Sequence, residues 1–382
     1  MAELNQISSL NAEFALDLYG KLAATHPDAN LFYSPISISF ALAMTYLGAS
    51  GKTEEELKSA LRFDRVNEKN LHPLFKELRN NLLDTKGVYK LHMANKLYGE
   101  KSYNFLQDFL QQCNSFYGAE LEPVDFNNPD ECALKINEWV EEQTNQKIKN
   151  LIAPGILNPL TRLILINAIY FKGDWNEKFN IKDTKEEDFF ISKTNKVKVP
   201  MMHFHKKKLR YSFYEELNCQ VLELPYVGKS LSFIVILPDL NKTSLSDVEK
   251  KLNGDELFNV SQHLYSREVQ LWLPRFKLET SFEANDVLKQ LGIIDLFSDS
   301  RADLSKIDGT KELYVSKVIH KAFVEVNEEG SEAAAATGVV FELRCAVIPM
   351  EPEVVRVDHP FIFFIKDNHS GAVLFIGKFM KP

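Results

Sequence analysis

Few side chains in this sequence stand at spacings that chemistry requires. Gly48-Ala49-Ser50-Gly51-Lys52-Thr53 comes near a phosphate-cradling loop, but that loop needs four residues between its glycines and a strand before it. Here two residues intervene after an apolar stretch of helical character, so a helix-to-helix turn is expected. His203-x-His205 would set two imidazoles on one face of an extended segment, yet no third ligand stands near it, and surface histidines rather than a metal site are expected. Lys206, Lys207, Lys208 and Arg210 form the densest basic cluster. Such a cluster would hold a sulfated polysaccharide through local charge, or line a solvated strand edge, where lysines discourage aggregation. There is no H-E-x-x-H, G-x-S-x-G or G-x-G-x-x-G, and a Ser/His/Asp triad cannot be assembled from sequence neighbours. Nothing supports an enzyme, and no cofactor is expected.

The informative stretch is 328–352, directly after a strand candidate ending at Val326. If 331–344 is extended, side chains alternate between two faces. One face carries Ser331, Ala333, Ala335, Thr337, Val339, Phe341 and Leu343, with no charge, and the other carries Glu332, Glu342 and Arg344. That division suits a strand entering a sheet with one face on a core and the other toward solvent. Four successive alanines, Ala333 to Ala336, offer little steric resistance to a strand threading between two others. They are equally good helix formers, and a short helix capped by Ser331 is the alternative on pattern alone.

The elements that must position this stretch divide the chain by texture. The first third reads helical: Ser8 and Ser9 are cap candidates before Phe14, Leu18 and Leu22, and 36–47 is apolar nearly all round. Thr53-Glu54-Glu55-Glu56 has the spacing of a capping box. Helical periodicity continues in 70–84, 104–116 and 129–147, the last presenting Leu134, Ile136, Trp139 and Val140 as its apolar side. From about 160 the pattern changes to β-branched and aromatic runs at 162–171, 219–225, 231–237, 268–273 and 313–326. No Pro/Gly/Ser-rich linker separates the two textures, so one α+β domain over 1–382 is expected.

Composition narrows the function classes. With 382 residues, 45% hydrophobic and 26% charged, the chain has the makings of a folded protein with a sizeable core. Its net charge of −8 argues against nucleic acid as the main partner. No apolar run approaches the roughly 20 residues of a membrane helix. Cys113, Cys132, Cys219 and Cys345 show no metal or disulfide spacing and fit a reducing compartment. The start of the chain has no secretory leader pattern, so a cytoplasmic location is expected, with export, if any, by a leaderless route. Sequons at Asn241, Asn259 and Asn368 are then expected to go unused.

Glu328-Glu329-Gly330-Ser331-Glu332-Ala333-Ala334-Ala335-Ala336-Thr337 resembles the proximal hinge of inhibitory serpins, and the likeness runs through the whole chain. Asn30 to Ile38, Asn167-Ala168-Ile169-Tyr170-Phe171-Lys172-Gly173-Asp174-Trp175, Asp358 to Ile365 and Phe375-Ile376-Gly377 match family signatures in order. The start and end resemble the ovalbumin-like intracellular clade, and Arg344-Cys345 is similar to its protease inhibitor 6 branch. The resemblance selects the extended reading of 331–344. It implies one domain with three β-sheets, about nine helices and an exposed reactive-centre loop over about 328–352, a monomer acting as a suicide inhibitor. It further implies a hydrogen-bonded shutter of Ser34, Ser37, Asn167 and His320, and a breach at Trp175 where insertion begins.

Counting fifteen residues from Gly330, as the family pattern does, sets the cleaved bond at Arg344–Cys345. Arginine there suits trypsin-like serine proteases, whose primary pocket is acidic. Phe341 and Leu343 would add specificity, and Leu343 before arginine also suits papain-like cysteine proteases. The length of the segment after the cleavage leaves Leu343–Arg344 as a second register, for chymotrypsin-like targets. An exposed Cys345 thiol would be open to oxidation. A non-inhibitory chaperone, carrier or storage role is the alternative function. The small hinge residues Ser331 and Ala333 to Ala336 argue against it.

Overall fold

The computed structural model describes residues 2–84, 87–331 and 351–382. The expected helical first third holds α1 (Ala2–Thr25), α2 (Pro35–Gly48), α3 (Gly51–Ala60), α4 (Glu68–Leu83), α5 (Gln107–Tyr117) and α6 (Pro129–Gln143). Pro35 occupies the first turn of α2, while the Ser34 hydroxyl accepts from the Ser37 N–H, which starts that helix firmly. Its residues are buried on nearly every side, as an all-round apolar helix requires. The glycine-rich stretch at 48–51 is indeed the turn from α2 into α3.

Three local expectations are corrected. α1 starts well before Ser8, which is buried within it, so Ser8 and Ser9 cap nothing. Thr53 and Glu56 form no capping box, because Ser50 is the cap residue. Thr53 Oγ1 instead accepts from the Asp303 N–H at 3.0 Å, and Glu56 from the N–H groups of Ile294 and Asp295 at 2.7 Å each. Distant backbone donors won the groups that local spacing assigned to the helix end. On α6 the inward residues are Cys132, Ile136 and Val140, whereas Leu134 is 62% exposed.

The strands are β1 (Leu31–Tyr33), β2 (Tyr89–Glu100), β3 (Leu121–Val124), β4 (Leu163–Asp174), β5 (Lys185–Phe190), β6 (Lys196–Tyr214), β7 (Cys219–Pro225) and β8 (Leu231–Pro238). They continue with β9 (Tyr265–Pro274), β10 (Phe276–Glu283), β11 (Val315–Val326), β12 (Gly330–Ser331), β13 (Glu353–Arg356), β14 (Phe361–Asp367) and β15 (Val373–Phe379). Four short helices, α7 (Leu245–Lys251), α8 (Gly254–Gln262), α9 (Asn285–Gln290) and α10 (Ser305–Asp308), complete the ten among the described residues. β2 lies inside the stretch that reads as helical; its alternation is masked by the charged residues Lys90 and Lys96 and by Asn95.

One sheet has the order β10-β11-β12-β4-β2-β3. The other runs β1-β15-β14-β8-β7-β6-β9-β13, with β5 also on β6. It has two portions that meet in the long β6, whose first half pairs β5 and whose second half pairs β7, with a register shift between Phe204 and Lys207. The three sheets expected are thus two, because β6 and β9 run on through both portions of the larger one.

β4 sits at the centre of the packing. Leu163, Leu165, Ile169 and Phe171 join the main core between the sheets, while Ile164, Ile166, Ala168 and Tyr170 join a smaller core under Ile136 and Val140 of α6. Both faces are covered, and the strand accordingly reads as one continuous apolar run. Ile136→Ala should therefore cost about 2–4 kcal/mol through the cavity it leaves. Leu134→Lys should stay within about 0.5 kcal/mol of the parent; chemical denaturation of the two variants side by side checks the assignment of faces.

Candidate functional site

The site is a seam. β11 and β4 pair in parallel from Val315↔Leu163 to Phe323↔Tyr170, with antiparallel neighbours on either side, β10 on β11 and β2 on β4. Beyond Tyr170 the two strands part, and β12 fills the gap. It is antiparallel to both: Ser331 stands opposite Val326 on one side and Gly173 on the other, and Gly330 opposite Asp174.

A tight turn delivers β12 to this gap. Asn327 and Gly330 exchange backbone hydrogen bonds, and the Asn327 carboxamide oxygen accepts from the N–H groups of Glu329 and Gly330. Gly330 has φ +152°, and a Cβ there would lie 2.1 Å from the Gly173 carbonyl oxygen and 2.5 Å from the Asp174 Cα. Only glycine fits so close to another backbone. The two glutamates of the turn are tied down: Glu328 accepts from the Thr184 hydroxyl at 2.8 Å, and Glu329 pairs with Lys178, which also reaches Asp174. Ser331 is fully buried, and its hydroxyl shares a 2.8 Å hydrogen bond with the Tyr226 hydroxyl.

Trp175 closes the top of the gap. Its backbone N–H donates to the Glu329 carbonyl and its indole N–H to the Asn327 carbonyl, each at 2.8 Å. The indole stacks on Tyr226, with ring centroids 4.7 Å apart. The tryptophan expected at the breach thus holds the hinge turn from both its backbone and its side chain.

Ser34, Ser37, Asn167 and His320 come together lower in the seam. The pairing register sets His320, Asn167 and Asn95 side by side across β11, β4 and β2. His320 Nδ1 bonds to the Asn167 Oδ1, while the Asn167 amide donates to the Ser37 hydroxyl at 2.6 Å and to Asn95. His320 Nε2 accepts from the Ser34 backbone N–H at 3.2 Å, and the Ser34 hydroxyl donates to the Leu374 carbonyl at 2.6 Å. An acceptor on one ring nitrogen and a donor on the other define a neutral imidazole carrying its proton on Nδ1. Full burial enforces that state, lowering the His320 pKa from its ordinary 6.5 to about 3.

Asn95 joins this hydrogen-bonded cluster and Tyr226 meets Ser331, and sequence reasoning missed both. Asn95 had a weak signal, a polar residue between Met93 and Leu97 at alternate positions; Tyr226 had none, because its partner Ser331 lies 105 residues away. Of the hinge, Glu328, Glu329, Gly330 and Ser331 are positioned as described. Glu332, Ala333, Ala334, Ala335, Ala336, Thr337, Phe341, Leu343, Arg344 and Cys345 lie outside the described residues.

The basic cluster lies on β6 but is largely neutralised. Lys206 pairs with Glu268 at 2.6 Å, Lys207 with Glu177 at 2.8 Å and Arg210 with Glu223 at 2.6 Å, leaving Lys208 without an ion pair among the described residues. His203 and His205 do share a face, with ring centroids 4.2 Å apart, but His203 stacks on Trp272 and His205 lies against Asp183. Among the described residues no three His, Cys, Asp or Glu side chains group to hold a metal, and no helix is long and apolar enough to cross a membrane.

Residues 9–382 match the family model described as "Serpin (serine protease inhibitor)". The chain belongs to the serpin family. This serpin is 46% identical to the leukocyte elastase inhibitor of Equus caballus, over 99% of its own length and all of that protein's. Among solved structures it resembles Serpin48 of the insect Tenebrio molitor, with a TM-score of 0.87 and 35% identity over 100% of this chain and 98% of that one. It also resembles uncleaved ovalbumin, with a TM-score of 0.88 and 32% identity over 98% and 100% of the two chains.

The buried neutral His320 gives the serpin's stability a sign with pH. In the unfolded chain the ring takes a proton below about pH 6.5, and in the fold only near pH 3. Stability is therefore lost as pH falls through that window, at up to about 1.4 kcal/mol per pH unit from this one residue. Urea unfolding between pH 7 and pH 5 should show that component in the parent, while His320→Gln starts weaker and lacks it. Equal slopes for the two proteins would remove the assignment.

Proposed function

We propose that this serpin inhibits a trypsin-like serine protease by letting it cleave at Arg344–Cys345 and trapping it as an acyl-enzyme when the loop enters the six-stranded sheet. The observation that carries the reading is β12: Gly330 and Ser331 of the hinge already sit between β4 and β11, antiparallel to both. Insertion is the continuation of a strand that has begun.

Carrying that register forward, each further loop residue would face a position on both strands. Ala333 and Ala335 would face Phe171 and Ile169 of β4 on the side of the main core, and Thr337 would fall between Asn167 and His320. The shutter hydrogen bond would have to break, and a hydroxyl would arrive between its two partners. Ala334 and Ala336 would face Tyr170 and Ala168, on the side that α6 covers rather than solvent. Small residues suit that passage.

The drive follows from strand geometry. A parallel pair is slightly weaker per residue than an antiparallel one, and insertion exchanges one parallel junction for two antiparallel ones. About fourteen residues at roughly 3.3 Å each move the cleaved end some 45 Å, with each new ladder bond worth on the order of 1 kcal/mol. The uninserted fold is then held by its barrier.

Target class rests on the loop. Relatives 46% and 44% identical are named for leukocyte elastase, and elastase-type pockets are small, whereas arginine calls for an acidic one. Arg344 therefore favours trypsin-like targets; Leu343–Arg344 is the register for a chymotrypsin-like one, and Leu343 is what a papain-like cysteine protease would read. A sulfated polysaccharide finds little free charge on β6, given the ion pairs there. The thiols of Cys113, Cys132 and Cys219 are free and buried, and the Asn368 amide that a glycan would take donates to Lys229 and Ser232. Both support a cytoplasmic setting.

Mixing the serpin with trypsin should give an SDS-stable adduct and release a peptide beginning at Cys345, read by gel and mass spectrometry. Ser331→Arg, which cannot enter the buried site opposite Tyr226, should turn the protein from trap to substrate, with cleavage at the same bond and no adduct. Cleavage of the parent without adduct or gain in heat stability would move the reading to a non-inhibitory serpin.

A further inference from the structure

A cavity of about 240 Å³ opens beside the breach, where β6 passes the end of β7. Trp175, Phe204, Leu209, Leu224 and Pro225 supply its apolar wall. Lys208, Arg210, Glu223 and Lys229 supply the charge. The charges do not balance. Arg210 and Glu223 neutralise each other at 2.6 Å, and Glu177 of the rim is taken by Lys207. Lys208 and Lys229 are exposed and have no ion pair among the described residues. Lys366 adds to the surplus: it is only 8% exposed, has no carboxylate within salt-bridge distance among the described residues, and stands opposite Ser232, which in turn stands opposite Pro225 of the wall. Burial lowers its pKa, against the Glu223 and Asp367 carboxylates, which raise it.

We propose that this cavity binds a small amphipathic organic anion, with about two fused aromatic rings against Trp175 and Phe204 and a carboxylate or sulfonate held by Lys208 and Lys229. The size follows from the volume, which lies just below the roughly 300–1,000 Å³ of drug-sized sites. A polysaccharide chain does not fit it. Aromatic rings supply the apolar and quadrupolar surface that such a ligand's rings pack on, and two unpaired ammonium groups supply what its acid needs. The same Trp175 holds the hinge turn through its indole N–H and backbone, so an occupant of the cavity touches the residue that closes the seam.

The test uses the whole protein and 1-naphthoate as probe, and it reads binding, independently of any inhibition. Calorimetry should give saturable one-to-one binding, and the indole N–H resonance of Trp175, identified in the Trp139→Phe/Trp272→Phe background, should shift in step with it. The double variant Lys208→Gln/Lys229→Asn should bind at least tenfold more weakly; asparagine suits position 229, where φ is +57°. The neutral analogue 1-naphthalenemethanol should be weakened similarly. Ser266→Phe, which fills the cavity from its rim while leaving both lysines, should abolish binding, with circular dichroism confirming that each variant is folded. Unchanged affinity in the lysine double variant or in Ser266→Phe would overturn the site, as would no heat and no Trp175 shift at about 5 mM naphthoate, where a Kd of about 1 mM would leave the site mostly filled.

Discussion

The parallel pairing of β4 with β11 is the constraint on which the rest of this molecule depends. Each strand is paired on its outer side with an antiparallel partner, β2 or β10, so the junction between them divides the sheet into two antiparallel halves. Its upper end is already parted around β12. β12, which follows β11 in the chain, occupies that gap and pairs with both strands.

What keeps the seam closed is polar chemistry inside an apolar core. His320, Asn167, Asn95, Ser37 and Ser34 satisfy one another completely enough that a neutral imidazole and two carboxamides stand buried at the centre of the sheet. Such a network is directional, unlike the aliphatic packing around it, and a partly satisfied one is costly. It therefore favours one arrangement and resists the half-open states between. The Ser34 hydroxyl also caps α2, which joins the shutter to the most deeply buried helix of the fold.

The upper end is controlled differently. There the hinge turn is held by backbone contacts, by the Trp175 indole and by ion pairs at its rim, and only Gly330 is compatible with the closeness of the three chains. Trp175, Glu328 and Gly330 are buried there, while the Lys178–Glu329 pair is part-exposed. The seam is thus held by side-chain hydrogen bonds in its interior and by backbone, indole and ion-pair contacts at its upper end.

The sequence alone determined the family, through signatures spread in order from Asn30 to Gly377. It also determined most helices and strands, whose apolar periods report which face is buried. The role of Ser34, Ser37, Asn167 and His320 came through resemblance; periodicity alone would have left them as ordinary core residues. Tertiary structure decided the rest. Asn95 joined the shutter, Tyr226 met Ser331, and Thr53 and Glu56 left the helix end for Asp303 and Ile294, because hydrogen-bond partners at long range are chosen by strand register and loop path. The lysines of β6 lost their apparent surplus for the same reason: the acids that pair with Lys206, Lys207 and Arg210 come from elsewhere in the chain, and only folding brings them within reach.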